Sequence, residues 1–322
     1  MTLAQLQSFV LVARHGSVKA AAAELEVTEP AVSVAVSALR KELGDELFVR
    51  NGRGIALTPG GRRLAALAGE ILGLAEQARR SVAESAGETR RLSLLATPLV
   101  AEHIGPLIDL FSARDEGLEI DVAVGPAASF AEALEHRRAD VALGPSVGAA
   151  ATIAAAPFLR CRLILAAAPS HPLASERALS PGALADERWL VGQPELDPAQ
   201  GTGAFFTRHG LSPAQVTTYS SSAAAIAAAA AGEGIVLTLA HAVVDEVRRR
   251  ALVRLDVRGT PVVEMWHAST LGLGRALPAA LALQRFATTP EATQAISAGR
   301  AGAVSMQARP KVHVTLWQNV GG

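Results

Sequence analysis

Residues 17–60, SVKAAAAELEVTEPAVSVAVSALRKELGDELFVRNGRGIALTPG, constrain this chain more than any other stretch. Helix start and stop signals follow one another there at short intervals. Ser17 is a favourable N-cap, and the four consecutive alanines after Lys19 are strong helix formers. Such small side chains let a second helix cross closely. The turn is Glu26-Val27-Thr28. Thr28 caps a second helix, whose first turn tolerates Pro30 because the N–H groups there lack helical partners. Val32, Val36, Leu39 and Leu43 recur at helical spacing and predict the core-facing side, which leaves Ser33, Val34, Ser37 and Arg40 outward. Gly44 suits the helix end. Leu47-Phe48-Val49-Arg50 and Ile55-Ala56-Leu57 then flank Asn51-Gly52-Arg53-Gly54, a hairpin signal with Asn-Gly at its tip.

Two helices joined by so short a turn form a helix-turn-helix unit, whose second helix enters the major groove of DNA. The hairpin then becomes a wing that sets Arg50 and Arg53 against phosphates. The groove-facing candidates are Ser17, Thr28, Glu29, Pro30, Ser33, Val34, Ser37 and Arg40. Pattern alone also admits an ordinary helical subdomain carrying a surface hairpin. The ordered residues Phe9, Ala13, Gly16-Ser17, Ala20-Ala21-Ala22, Leu25, Thr28-x-Pro30-Ala31-Val32-Ser33, Leu39, Glu42-Leu43-Gly44, Leu47-Phe48-x-Arg50, Gly54, Leu57-Thr58 and Gly60-Gly61 resemble the N-terminal domain of LysR-type transcriptional regulators. The resemblance implies a winged helix-turn-helix that binds double-stranded DNA. The chain departs from many relatives in having Glu29 where they carry Gln, and Val34 and Ala35 where they carry long polar residues. Glu29 can accept a hydrogen bond from cytosine N4, and Val34 can touch only a thymine methyl. A larger share of specificity is therefore expected from DNA shape.

Thr58 and Pro59 open a further helix, expected to reach about residue 84. Leu64, Ala68, Ile71, Ala75, Ala78 and Val82 alternate by fours and threes along it, the spacing of a coiled-coil seam. The other reading is an amphipathic helix packed on its own domain. In LysR-type regulators this helix pairs two subunits, and the resemblance implies a dimer here, with tetramers built from two such pairs.

From residue 91 the texture changes to alternating short apolar strands and helices, the order of a parallel α/β sheet covered on both faces. This part resembles the effector-binding domain of LysR-type regulators, which shares its two-lobed fold with periplasmic binding proteins. The resemblance rests on residues 158–174, with Ser170-His171-Pro172-Leu173-Ala174, and on Ala231-Gly232-x-Gly234-Ile235. The expected domains are a head at 1–58, a linker helix at 59–89, and an effector domain at 90–289. The effector domain divides into lobe 1 at about 90–165 and 264–289 and lobe 2 at about 166–263. Residues 290–322 form an extension past the usual end of relatives, in which Val312-His313-Val314-Thr315-Leu316-Trp317 alternates like a strand.

Ligands of open α/β folds sit beyond the carboxyl ends of strands, where helix N-termini offer free N–H groups. Thr97-Pro98, Ser146 after Gly144-Pro145, and Ser221-Ser222 before an alanine-rich helix qualify as effector contacts. Their hydroxyls and amides suit a carboxylate or another small anion. Read as structure only, they are helix caps.

Net charge is zero, so attraction to DNA must be local. Cys161 is the only cysteine, which excludes an internal disulfide and reads as a buried apolar residue. No metal-ligand spacing or phosphate-cradling motif occurs, and no cofactor is expected. With no signal peptide and no spanning run, the expectation is a cytoplasmic protein with no membrane partner. Two rivals remain. One is an effector-independent architectural DNA binder. The other is a serine hydrolase built on Gly144-Pro145-Ser146-Val147-Gly148 with Asp245 and His267, for which no oxyanion loop is present.

Overall fold

The computed structural model describes residues 1–51, 54–115, 117–148, 151–192, 200–298 and 314–316. It separates into two compact units that divide at residues 90 and 91, with residues 132–139 grouped with the first.

The first unit opens with helix α1 (Leu3–His15), which begins in a capping box: Thr2 accepts from Gln5 N, and the Gln5 side chain accepts from Thr2 N. Helix α2 (Val18–Glu24) is capped by Ser17, whose hydroxyl accepts from Ala20 N at 3.3 Å. Helix α3 (Glu29–Leu43) starts at Thr28, with Pro30 in its first turn, and stops at Gly44 in the left-handed conformation, φ 64°. Strands β1 (Phe48–Asn51) and β2 (Gly54–Leu57) pair antiparallel as the hairpin. Helix α4 (Pro59–Ser85) follows directly. The core gathers Leu6, Phe9 and Val12 of α1, Ala21 and Ala22 of α2, and Val32, Val36 and Leu39 of α3. Leu47, Phe48 and Ala68 of α4 complete it. Leu43, expected inside, is 44% exposed on the last turn of α3.

In the second unit, β3 (Arg90–Ala96), β4 (Leu118–Val124) and β5 (Val141–Gly144) lie side by side, with β3 and β5 parallel. Helices α5 (Pro98–Ala101) and α6 (Gly105–Ser112) connect β3 to β4, and α7 (Phe130–Glu135), most of which groups with the first unit, precedes β5 in the chain. The segment between β3 and β4 thus carries two short helices and not one. Gly105-Pro106 cannot continue a helix from the preceding turn and begins a new one instead.

Strands β6 (Ile153–Ala167) and β11 (Val262–Leu271) are long and antiparallel to each other. At one end β11 pairs β5 in the first lobe; at the other, β6 pairs β9 (Val236–Leu239) and β10 (Val253–Arg254) in the second. The register shifts between Trp266 and His267, where Phe158 is the extra residue opposite. The second lobe adds β7 (Arg188–Gly192) parallel to β8 (Gln215–Tyr219), and helices α8 (Gly201–His209), α9 (Ser222–Ala230) and α10 (Val244–Arg248). The architecture is two-lobed α/β, but its sheet is mixed, because both connecting strands run antiparallel to their neighbours.

Helix α11 (Pro278–Ala287) returns to the first lobe, burying Ala280, Leu283 and Phe286. Helix α12 (Pro290–Ala298) continues it, and its Ala292 and Ile296 enter the same core. Arg114 stacks 4.3 Å over the Phe286 ring and pairs with Glu291 of α12. Strand β12 (Val314–Leu316) adds in parallel to the edge of β4, so part of 312–317 does form a strand.

Candidate nucleic-acid interface and ligand cavity

The exposed face of α3 carries Glu29, Pro30, Ser33, Val34 and Ser37, with Thr28 exposed at its start. Val34 is 69% exposed, an apolar side chain offered to solvent on the helix that a helix-turn-helix sends into the groove. Arg40 lies elsewhere than expected. It is half-buried, with its guanidinium 6.0 Å from the centre of the Phe48 ring and 3.9 Å from Glu46, so it braces α3 against the hairpin. Ser17 is half-buried and occupied as the α2 cap. Arg50 stands in β1, although its side chain is outside the described residues, as is Arg53.

The hairpin is set on α4 by one acid. Thr58 Oγ1 and Leu47 N both donate to Asp45 Oδ1, each at 2.7 Å. These bonds, the Thr58 one first, hold the Asp45 carboxyl below the ordinary range. Thr58 Oγ1 in turn accepts from Gly61 N at 2.8 Å, so the wing's exit and the helix start share one network.

Along α4 the apolar residues divide between two faces. Ala68 is fully buried in the head's own core, with Leu64 packed against it. Leu67, Ile71, Leu74, Ala78 and Val82 are exposed, at spacings of four, three, four and four. The seam expected through Leu64, Ala68, Ile71, Ala75, Ala78 and Val82 therefore mixes two faces. Sequence periodicity could not separate them, because the inward and outward faces of one helix repeat on the same period.

In the second unit a cavity of ≈ 280 Å³ opens where the lobes meet at the N-terminus of α9. Glu102, His103 and Pro106 line it from the first lobe, Ser221, Ser222 and His241 from the second, and Ile296 and Ser297 from α12. Ser221 is the N-cap: its hydroxyl accepts from Ala224 N at 3.2 Å. Ser222 is 7% exposed, and its N–H donates to both carboxylate oxygens of Glu102, each at 3.2 Å. The rings of His103 and His241 meet edge to face, 5.4 Å apart. Burial pushes the His241 imidazole below its usual value. Its Nε2 is enclosed and has no hydrogen-bond partner among the described residues.

Of the five expected effector contacts, Ser221 and Ser222 line this cavity, and Thr97, Pro98 and Ser146 do not. Thr97 is fully buried and makes no side-chain cap bond to α5. Its methyl packs close to Gly144. Ser146 is exposed on the turn after β5, where its hydroxyl accepts from Gly148 N at 3.4 Å. Nor does a hydrolase relay assemble around it. The Asp245 carboxylate pairs with Arg248 at 3.4 Å, and His267 Nδ1 lies 3.1 Å from the Met265 carbonyl, where a relay needs an acid. Sequence reading missed Glu102, His103, His241 and α12. Pro290 followed by Glu291 was the available signal for α12, a helix start with an acid in its first turn.

Cys161 is buried on β6, its Sγ 3.6 Å from the Glu264 carbonyl oxygen, and burial pushes its thiol up to about 12. No group of three or more metal-ligating side chains and no helix long and apolar enough to cross a membrane occurs among the described residues.

A winged helix-turn-helix joined by one long helix to a two-lobed sensor defines a ligand-responsive DNA-binding transcriptional regulator. Sequence profiles agree. Residues 3–62 match the bacterial regulatory helix-turn-helix protein, lysR family, and residues 85–289 match the LysR substrate binding domain. The chain belongs to the LysR family of transcriptional regulators. It is 39% identical to the uncharacterized HTH-type transcriptional regulator Rv0377 of Mycobacterium tuberculosis (strain ATCC 25618 / H37Rv), across 98% of this chain and 100% of that protein. It is 32% identical to the HTH-type transcriptional regulator CfxR of Cupriavidus necator, across 87% and 88%. The fold matches full-length CbnR, solved in complex with its target DNA, with a TM-score of 0.54 and 21% identity over 89% of this chain and 100% of that one.

Proposed function

We propose that this regulator reads its operator through Thr28, Glu29, Pro30, Ser33, Val34 and Ser37 of the α3 face, with Arg50 and Arg53 of the wing on phosphates. It acts as a dimer joined along Leu67, Ile71, Leu74, Ala78 and Val82 of α4, with tetramers formed from two such pairs. Exposed apolar residues at coiled-coil spacing support the pairing. It works in the cytoplasm and catalyses no reaction.

The effector binds in the cavity at the N-terminus of α9. The observation that carries this reading is the composition of the wall: both lobes contribute, so a ligand there favours one lobe arrangement over another. A shift in that arrangement alters how two heads engage two half-sites.

Fluorescence anisotropy against DNA from beside its own gene, with scrambled DNA as the competitor, tests the reading at near-physiological salt. A preference of roughly a hundredfold or more is expected of a specific regulator. Equal, salt-sensitive binding to both would instead mark an architectural DNA binder.

A further inference from the structure

Two helices of the second lobe receive a carboxylate at their first amide, and the two acids differ in kind. Glu264 stands on β11, is half-buried, and accepts from Gly201 N of α8 at 2.9 Å. It lies on one of the two strands that run through both lobes. Glu102 follows α5 in the opposite lobe and is exposed, yet both of its oxygens accept from Ser222 N of α9 at 3.2 Å. That geometry is long and shared compared with the usual ~2.9 Å bond. It is a charge resting on a helix end and wetted on its far side, which makes it easy to release.

What would remain if Glu102 swung away also matters. No other cavity-lining residue is acidic. His103, His241, Ser221, Ser222 and Ser297 can all donate hydrogen bonds, and the α9 amide would be open. A wall of donors facing a helix N-terminus suits an anion. The one acceptor with charge already sits where that anion would.

We propose that Glu102 is a releasable latch between the lobes: its carboxylate holds the α9 N-terminus in place of an anionic effector, which takes that helix end by displacing it. This rests on reading the cavity as the effector site. The latch makes occupancy and lobe arrangement one event, because the displaced group belongs to the other lobe. An effector too short to reach Ser222 N would enter the cavity without releasing the lobes.

The test uses full-length protein and inorganic phosphate as the probe, titrated by thermal shift at constant ionic strength. Glu102→Ala should bind phosphate about tenfold more tightly than the unaltered protein, the scale of losing one charged hydrogen-bond competitor. Glu102→Gln should fall between the two, because its amide oxygen accepts without charge. Ser222→Pro removes the donor at a helix position that tolerates proline, so the double variant Glu102→Ala/Ser222→Pro should lose the gain. Equal or weaker binding by Glu102→Ala, or a gain that survives in the double variant, overturns the latch. If Glu102→Ala does not fold, Glu102→Gln decides; if neither folds, Glu102 is a fixed structural cap and the latch is overturned. Anisotropy on own-gene DNA runs in parallel. Specific DNA binding without the phosphate response removes the latch and leaves the regulator standing, whereas loss of both removes the regulator reading as well.

Discussion

A Cβ placed on Gly61 would overlap the carbonyl oxygen of Leu47, so the wing and the first turn of α4 meet backbone to backbone. The same carbonyl accepts from Thr58 N at 3.0 Å, and Thr58 in turn caps Gly61. Gly61→Ala must push these apart. The expected cost is about 1–3 kcal/mol of head stability, the range for overpacking a tight site. Thermal unfolding should show it, with reduced DNA affinity in the same variant and an unchanged second unit by hydrogen exchange.

Ile71→Glu and Leu74→Glu place charge on the exposed stripe of α4. Sedimentation should show dissociation into smaller species. Since two linked heads gain by effective concentration, operator affinity should fall by about a hundredfold or more. Ala68→Glu serves as a contrast: that site is fully buried in the head, so the expected result is unfolding of the head and not a clean monomer.

Val34 can contribute only apolar contact in the groove. Replacing operator thymines one at a time by uracil removes single methyl groups. One position should lose roughly 0.8 kcal/mol, about fourfold in affinity, with the unaltered protein. Val34→Ala should lose a similar amount on normal DNA and become insensitive to uracil there. Insensitivity of the unaltered protein at every position would remove Val34 from the base contacts.

His241 is held below its ordinary value by burial alone. A depressed pKa means the folded protein resists a proton that the unfolded chain accepts. The resulting stability is therefore complete above the unfolded value of about 6.5 and is lost as pH falls through the folded one. Melting temperature should decline from pH 7 toward pH 5. His241→Asn should flatten part of that decline, and the difference between the two curves isolates this residue from the other titrating groups.

The Cys161 thiol, pushed up to about 12 and enclosed on β6, carries almost no thiolate at neutral pH. Ellman's reagent should leave it unmodified in the native protein and label it fully after denaturation. Cys161→Ala should retain operator binding before and after peroxide treatment.

The head was readable from sequence because its punctuation is local. Ser17, Thr28, Thr58 and Gly44 each act within one turn of where they sit, and each occupies the expected cap. The cavity was not readable in the same way. Ser221 and Ser222 announced themselves as the start of an alanine helix, but Glu102 lies 120 residues from Ser222 and comes to it only through packing of the lobes. Thr97 shows the opposite case. Its position between β3 and α5 is as expected, but it is fully buried and makes no cap bond, which a helix-start pattern does not encode. The α4 seam failed by ambiguity, since inward and outward faces of one helix share one period.

Strands β6 and β11 remain paired through both lobes, and the one irregularity in their register falls where Phe158 stands opposite the step from Trp266 to His267. A joint of that kind has very few ways to yield. Sliding one half past the other would break a long ladder of hydrogen bonds, whereas flexing at the defect breaks almost none. Bending at that defect is therefore the least costly motion open to the two strands.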